Sequence, residues 1–177
     1  MTETEGASLG EQLLECARRN NTELLLDIKV RCNNDHVQLS QLINDTREII
    51  TDNSALHLAC QLGNWEFIDI VLDIEGVEID PMNREGDTPL HLAVKYTNEE
   101  PEHGFFIVDN MLDAGSDPRV VDKHGLKPIN YVKDNSKLKE LLQSAEYAIS
   151  MEVPEDEQLA EQSQDVDNDS ASASDSD

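Results

Sequence analysis

Residues 87–93 read Asp87-Thr88-Pro89-Leu90-His91-Leu92-Ala93, and the start of a helix is written into them. Thr88 offers a hydroxyl to the first free amides of a helix. Pro89 follows at the first helical position, where a missing N–H removes no hydrogen bond. The same pattern stands 34 residues earlier as Asn53-Ser54-Ala55-Leu56-His57-Leu58-Ala59, with Ser54 as the capping residue. A weaker copy, Leu126-Lys127-Pro128-Ile129-Asn130-Tyr131-Val132, lies 39 residues after the second. There Lys127 replaces the capping hydroxyl and Asn130 replaces the histidine, which predicts a weaker helix start. Self-similarity at this spacing is the mark of a repeat architecture.

Outward from these stretches the pattern closes into units. The turn signals Asn83-Arg84-Glu85-Gly86 and Asp122-Lys123-His124-Gly125 precede two of the copies. A second apolar run comes after each of the first two, over residues 65–72 and 105–112, and each ends in a break at Gly76 or Gly115. Within the first run, Phe67, Ile68, Val71 and Leu72 form a helical stripe. Gly63 stands where the preceding short helix must stop. Two short helices with one apolar side cannot bury it alone, whereas stacked copies bury it between neighbours. The fold class read from this is an all-α solenoid.

Asp87 to Ala93 resembles the T-P-L-H-x-A signature of ankyrin repeats, and Asp113-Ala114-Gly115-Ser116-Asp117-Pro118 resembles their repeat-closing segment. The resemblance implies about four helix–turn–helix repeats with short hairpin loops. Central repeats fall at about 51–83 and 84–118, with capping repeats at about 9–50 and 119–149. In the capping repeat that opens the chain, Leu9, Leu13 and Ala17 share one helical face and Asn20-Asn21 break the pair. In the last one, Leu138, Leu141 and Leu142 supply the closing apolar contacts. The resemblance also implies structural roles for Ser54, His57, Thr88, Pro89 and His91, the histidines tying adjoining repeats together by backbone-directed hydrogen bonds. Two stretches depart from the family spacing. Residues 33–50 are too long for a plain junction, and Val37, Leu39, Leu42 and Ile43 suggest an inserted short helix. Residues 97–104 predict a lengthened link between the two helices of the third repeat, with Thr97 in place of the turn glycine.

The chain has 177 residues with 38 acidic and 13 basic side chains, a net charge of −25. That balance argues against a partner held through bare phosphate contacts, so no direct nucleic-acid binding is expected. No stretch approaches the length of an apolar membrane span, so no membrane partner is expected. Residues 1–8 read as a flexible N-terminus without signal-peptide regions. Residues 152–177 hold ten acids and no lysine or arginine. With so little to bury and so much repulsion, residues 150–177 read as a disordered acidic tail. In it Ser172 and Ser174 each precede an acid by three residues, the pattern of acid-directed phosphorylation sites. Cys16, Cys32 and Cys60 form no CxxC pair and read as reduced, buried thiols, consistent with a cytoplasmic or nuclear protein.

Catalytic chemistry finds little support. His36, His103 and His124 lack metal-ligand spacing, no phosphate-cradling loop is present, and no nucleophile elbow exists. No enzyme activity, cofactor or metal is therefore expected. What remains is surface. By the family resemblance, partner-facing candidates are Asn53, Arg84, Glu85, Asp87, Lys123 and His124 on the hairpin tips, and Gln61, Lys95 and Tyr96 on inner helices. Trp65 reads as an apolar contact against the neighbouring repeat or as an exposed anchor for a partner. The expected function is a monomeric interaction module, an adaptor or chaperone for a basic protein. The alternative is an inhibitor or assembly factor that binds through its groove and does not need the tail.

Overall fold

In the computed structural model of the chain, which describes residues 6–152, eight α-helices and one 3-10 turn stack in chain order. The helices are α1 (Leu9–Arg19), α2 (Thr22–Arg31), α3 (His36–Asp45), α4 (Ala55–Leu62), α5 (Trp65–Leu72), α6 (Pro89–Thr97), α7 (Pro101–Asp113) and α8 (Ser136–Met151). The 3-10 turn spans Pro128–Tyr131. Among the described residues the only β pairing is an isolated bridge between Arg47 and Ser54.

Local chemistry sets each boundary. Ser8 caps α1 through a box closed by Glu11. Asn20 leaves α1 in the left-handed conformation (φ 54°), and Asn21 caps α2 two residues after α1 ends. The left-handed turn there is one that asparagine accepts at little cost. Asp35 caps α3, which occupies the stretch suspected of an inserted helix. Ser54 and Thr88 cap α4 and α6 through Oγ atoms that accept the amides of His57 and His91.

The inner helices α1, α4 and α6 form the spine. Small side chains let them close on one another: Cys16 and Ala17 on α1, Ala55, Ala59 and Cys60 on α4, and Ala93 on α6 are all buried. Phe67, Ile68 and Val71 on α5, and Ile107, Val108 and Met111 on α7, pack behind them with no measurable exposure. Fully burying such a side chain is worth roughly 1.5–3 kcal/mol, so the stacked layers, not helix propensity, hold helices of eight or nine residues.

One expectation needs correction and another is met. The extra residues at 97–104 do not form a long link. Only 98–100 separate the helices; the remainder continues α6 to Thr97 and adds a leading turn to α7, which has 13 residues where α5 has eight. Gly104 makes this turn fit, because a side chain there would collide with the backbone and hydroxyl of Thr97. The fourth unit has the weak helix start expected from Lys127 and Asn130. With no hydroxyl at Lys127, the Asn130 amide turns back to the Lys127 carbonyl, three residues away. The result is a single 3-10 turn where α4 and α6 have regular helices.

Candidate functional site

Three fingers project from one edge of the stack, around residues 46–53, 82–88 and 121–127, and they are tied to one another in sequence. Arg84 donates its amide to the Thr51 carbonyl, and Lys123 donates its amide to the Glu85 carbonyl. Asn83 donates to the Asn53 side chain at 2.8 Å. Arg84 also reaches the Ile49 carbonyl through its guanidinium.

The histidines anchor the second and third fingers, each to the repeat before it. His57 Nδ1 accepts the Ser54 amide, so Nε2 carries the proton and donates to the Asp87 carbonyl at 2.7 Å. His91 repeats the arrangement with the Thr88 amide and the Leu126 carbonyl at 3.0 Å. Burial drives the His57 pKa down to about 4, against the ordinary 6.5, and lowers that of His91 in the same direction. Both rings are thus neutral connectors.

Asp87, His91 and Asp122 bring three potential ligand atoms within 4.8 Å of one another. Each already has a task inside the protein. Asp122 Oδ1 accepts the amides of His124 and Leu126, and its Oδ2 accepts the Tyr131 hydroxyl. Burial pushes the Asp122 carboxyl up, but these bonds and the nearby His91 outweigh it and hold the pKa at about 2. The same hydroxyl contact, with burial, raises Tyr131 to about 12. Asp87 pairs with Lys95 at 2.8 Å, and that ammonium also sits 4.3 Å from the centre of the Tyr131 ring. As folded, the cluster buttresses the third finger.

Of the nine candidate contact residues, the structure removes two from the surface. Asn53 is buried and holds Asn83, and Asp87 is buried beneath Lys95. Both are polar residues in turn positions, which sequence alone assigns to solvent; the tie between fingers is what buries them. Arg84, Glu85, Lys123 and His124 are exposed on the second and third tips. Glu85 pairs with Lys123 and lies 3.9 Å from His124. Gln61, Lys95 and Tyr96 meet on the inner face around a shallow depression of about 160 Å³ shared with Leu92 and Glu99. Ser172 and Ser174 fall outside the described residues, as do residues 1–5 and the stretch from 153 onward.

A feature absent from those candidates is the crest of the first finger. Ile49 and Ile50 are 92% and 81% exposed at its crest. Beneath them lies an open cleft of about 500 Å³ between this finger and α1, with Gly10, Glu11 and Leu14 among its lining residues. Arg18 crosses its floor to Glu48 at 2.8 Å. The sequence signal was the consecutive isoleucines, which stand between two polar turn residues, Glu48 and Thr51, with no helical period.

The stacked helix pairs, the projecting fingers and the histidine ties define an ankyrin-repeat protein. A family model of ankyrin repeats in three copies matches residues 13–102, and a single-repeat model matches residues 85–123. The chain belongs to the ankyrin-repeat family. It is similar to the ankyrin repeat-containing protein YGL242C of Saccharomyces cerevisiae, being 49% identical over 150 residues that cover 82% of each chain. The family matches stop short of the 3-10 turn, where the fourth unit departs from the pattern. Ankyrin repeats are protein–protein interaction modules and typically not enzymes, and this chain is such a module. No helix of the described residues is long and apolar enough to cross a membrane.

Proposed function

We propose that the chain is a small adaptor or chaperone that grips a basic partner protein in the groove between its fingers and inner helices. The observation that carries this reading is the crest of Ile49 and Ile50 standing over the cleft beside α1. Exposed branched apolar side chains next to a concavity are what an interface core uses, with the charged tips serving as its rim. The net charge of −25 supports the choice of a basic partner, since a field of that sign speeds encounter and selects against acidic surfaces. A monomer in the cytoplasm or nucleus fits this role, and the three free, buried cysteines accord with a reducing compartment.

Affinity purification tests the reading with the full chain, a chain ending at residue 152, and an Ile49→Ser/Ile50→Ser variant, each washed at low and moderate salt. The expected result is a set of basic partners, lost with the serine pair and weakened sharply by salt. Salt-insensitive capture of a neutral or acidic partner removes the electrostatic half of the proposal. Unchanged capture without residues 153–177 assigns binding to the groove alone, as for an inhibitor or assembly factor.

A further inference from the structure

The leading turn of α7 has a second effect, on the edge opposite the fingers. It places His103 against the Gly63 carbonyl at 2.7 Å and between two other rings. Tyr96 meets His103 edge-on at 5.8 Å, His103 lies nearly parallel to Phe106 at 6.5 Å, and Phe106 meets Trp65 edge-on at 4.7 Å. Four rings from α5, α6 and α7 therefore form one continuous row. His103 is exposed, Phe106 is 44% exposed, and Trp65 and Tyr96 are half-buried, so the row is a surface and not a core.

Carboxylates frame it. Glu66 stands beside His103, whose proximity helps the stronger hydrogen bond from Asn20 to lower the Glu66 pKa. Burial raises the Tyr96 pKa, and the nearby charges of Glu100 and Glu99 raise it further. Glu102 occupies the first turn of α7. Among the described residues none of these four carboxylates has a lysine or arginine within ion-pair distance. Arg18 and Arg19, which precede Asn20 at the end of α1, are engaged by Glu15 and Glu48. An aromatic surface ringed by acids without a basic partner has the chemistry that receives a cation: ring faces attract it, and carboxylates at the rim fix its hydrogen bonds.

We infer that the row Trp65–Phe106–His103–Tyr96, with Glu66, Glu99, Glu100 and Glu102 around it, is a docking surface for an arginine-bearing segment of a partner protein. Arginine is the occupant because its planar guanidinium stacks on a ring while its edge donates two parallel hydrogen bonds to a carboxylate, which an ammonium cannot do. The site shares no residue with the cleft beneath Ile49 and Ile50, so it stands or falls separately from that cleft.

Trp65 is the only tryptophan in the chain, so its fluorescence reports on this surface alone. The full chain is titrated with three short peptides: one carrying alternating arginines, its lysine counterpart of equal charge, and a neutral leucine-bearing counterpart. The arginine peptide should shift Trp65 emission saturably and bind about tenfold more tightly than the lysine peptide, a difference within the range of stacking contributions. Phe106→Ala should weaken binding by about the same factor. Phe106→Leu, which keeps apolar bulk against Trp65, should weaken it nearly as much, separating the loss of the ring from any loss of fold. Glu99→Gln/Glu100→Gln/Glu102→Gln should weaken it further, and Ile49→Ser/Ile50→Ser should leave it unchanged. The inference is overturned if the arginine peptide leaves Trp65 emission unmoved. It is equally overturned if lysine or leucine peptides match arginine, or if Phe106→Leu binds like the wild type.

Discussion

The second and third repeats open with the same seven-residue plan as the fourth unit, yet only the first two make a regular helix from it. Ser54 and Thr88 take an amide into a hydroxyl, and His57 and His91 return the bond to the cap backbone. The fourth unit keeps half of this box, since Asn130 Oδ1 accepts the Lys127 amide at 2.8 Å. Its other half is missing, and the chain tightens into a 3-10 turn. The two cases also differ in the neighbour each unit has on its C-terminal side. Each histidine has a later finger whose carbonyl it must reach; Asn130 has none among the described residues. The signature histidine is thus a connector between repeats first and a helix cap second.

Removing the connectors should hurt in proportion to what each holds. His57→Ala leaves the Ser54 amide without a partner, takes from the Asp87 carbonyl one of its two donors (the Asn83 amide is the other), and opens a cavity in a buried setting. A loss of about 4 kcal/mol is expected from the unpaired amide, the lost carbonyl bond and the void together. His91→Ala should cost about half as much, because its bond to the Leu126 carbonyl is only part-buried and lies nearer the end of the stack. Urea denaturation of the two variants checks the ranking; equal losses would mean that position in the stack does not matter.

Acid should find the same weak point. His57 titrates at about 4 when folded and 6.5 by its ordinary value. Above 6.5 both states leave the ring neutral, and nothing is lost. As pH falls from 6.5 to 4, the unfolded chain takes up the proton and the folded chain does not, so stability declines; below 4 both are charged and the loss levels off. The full difference is on the order of 3 kcal/mol. Since the chain's many carboxylates also titrate near the lower end, the comparison is the pH slope of wild type against His57→Asn. The wild type should lose more stability between about pH 7 and pH 4.5, and parallel slopes would show that His57 is not the responsible group.

How much of this was open to reading depended on whether a residue's role is local. Caps at Ser54 and Thr88, the break at Asn20-Asn21 and the extra helix α3 arise from side chains acting within a few positions, and short-range pattern finds them. The burial of Asn53 and Asp87 does not, because what covers them arrives from residues 83 and 95 across finger and helix. The insertion at 97–104 was visible as length, but only packing tells whether added length becomes loop or helix. There the deciding fact is a close approach between Gly104 and Thr97. The aromatic row was legible in composition only as scattered rings, since Trp65 and Phe106 are 41 positions apart.

That close approach gives the next prediction. Gly104→Ala drives a methyl into the Thr97 backbone and hydroxyl, and the leading turn of α7 must tilt away. The cost should be about 2 kcal/mol, typical of overpacking. The tilt should carry His103 off the Gly63 carbonyl and Phe106 off Trp65, so a change in Trp65 emission should accompany the lost stability. A destabilised variant with unaltered emission would mean that the strain relaxes elsewhere.

The smallest effect sharpens the original contrast. If the histidine matters because it reaches the next repeat, restoring it where it has nothing to reach should do little. Asn130→His offers an Nδ1 in place of the amide oxygen that now accepts the Lys127 N–H, so the half-box survives. Its Nε2 has only solvent to donate to, since Asn130 is exposed. The stability should therefore move by less than about 0.5 kcal/mol, the usual range for a surface change. The midpoint of urea unfolding measures this directly. A gain of about 1 kcal/mol or more, the size of a good cap, would assign the histidine's worth to capping. The ranking of His57 over His91 would then need another cause than the carbonyl each one holds.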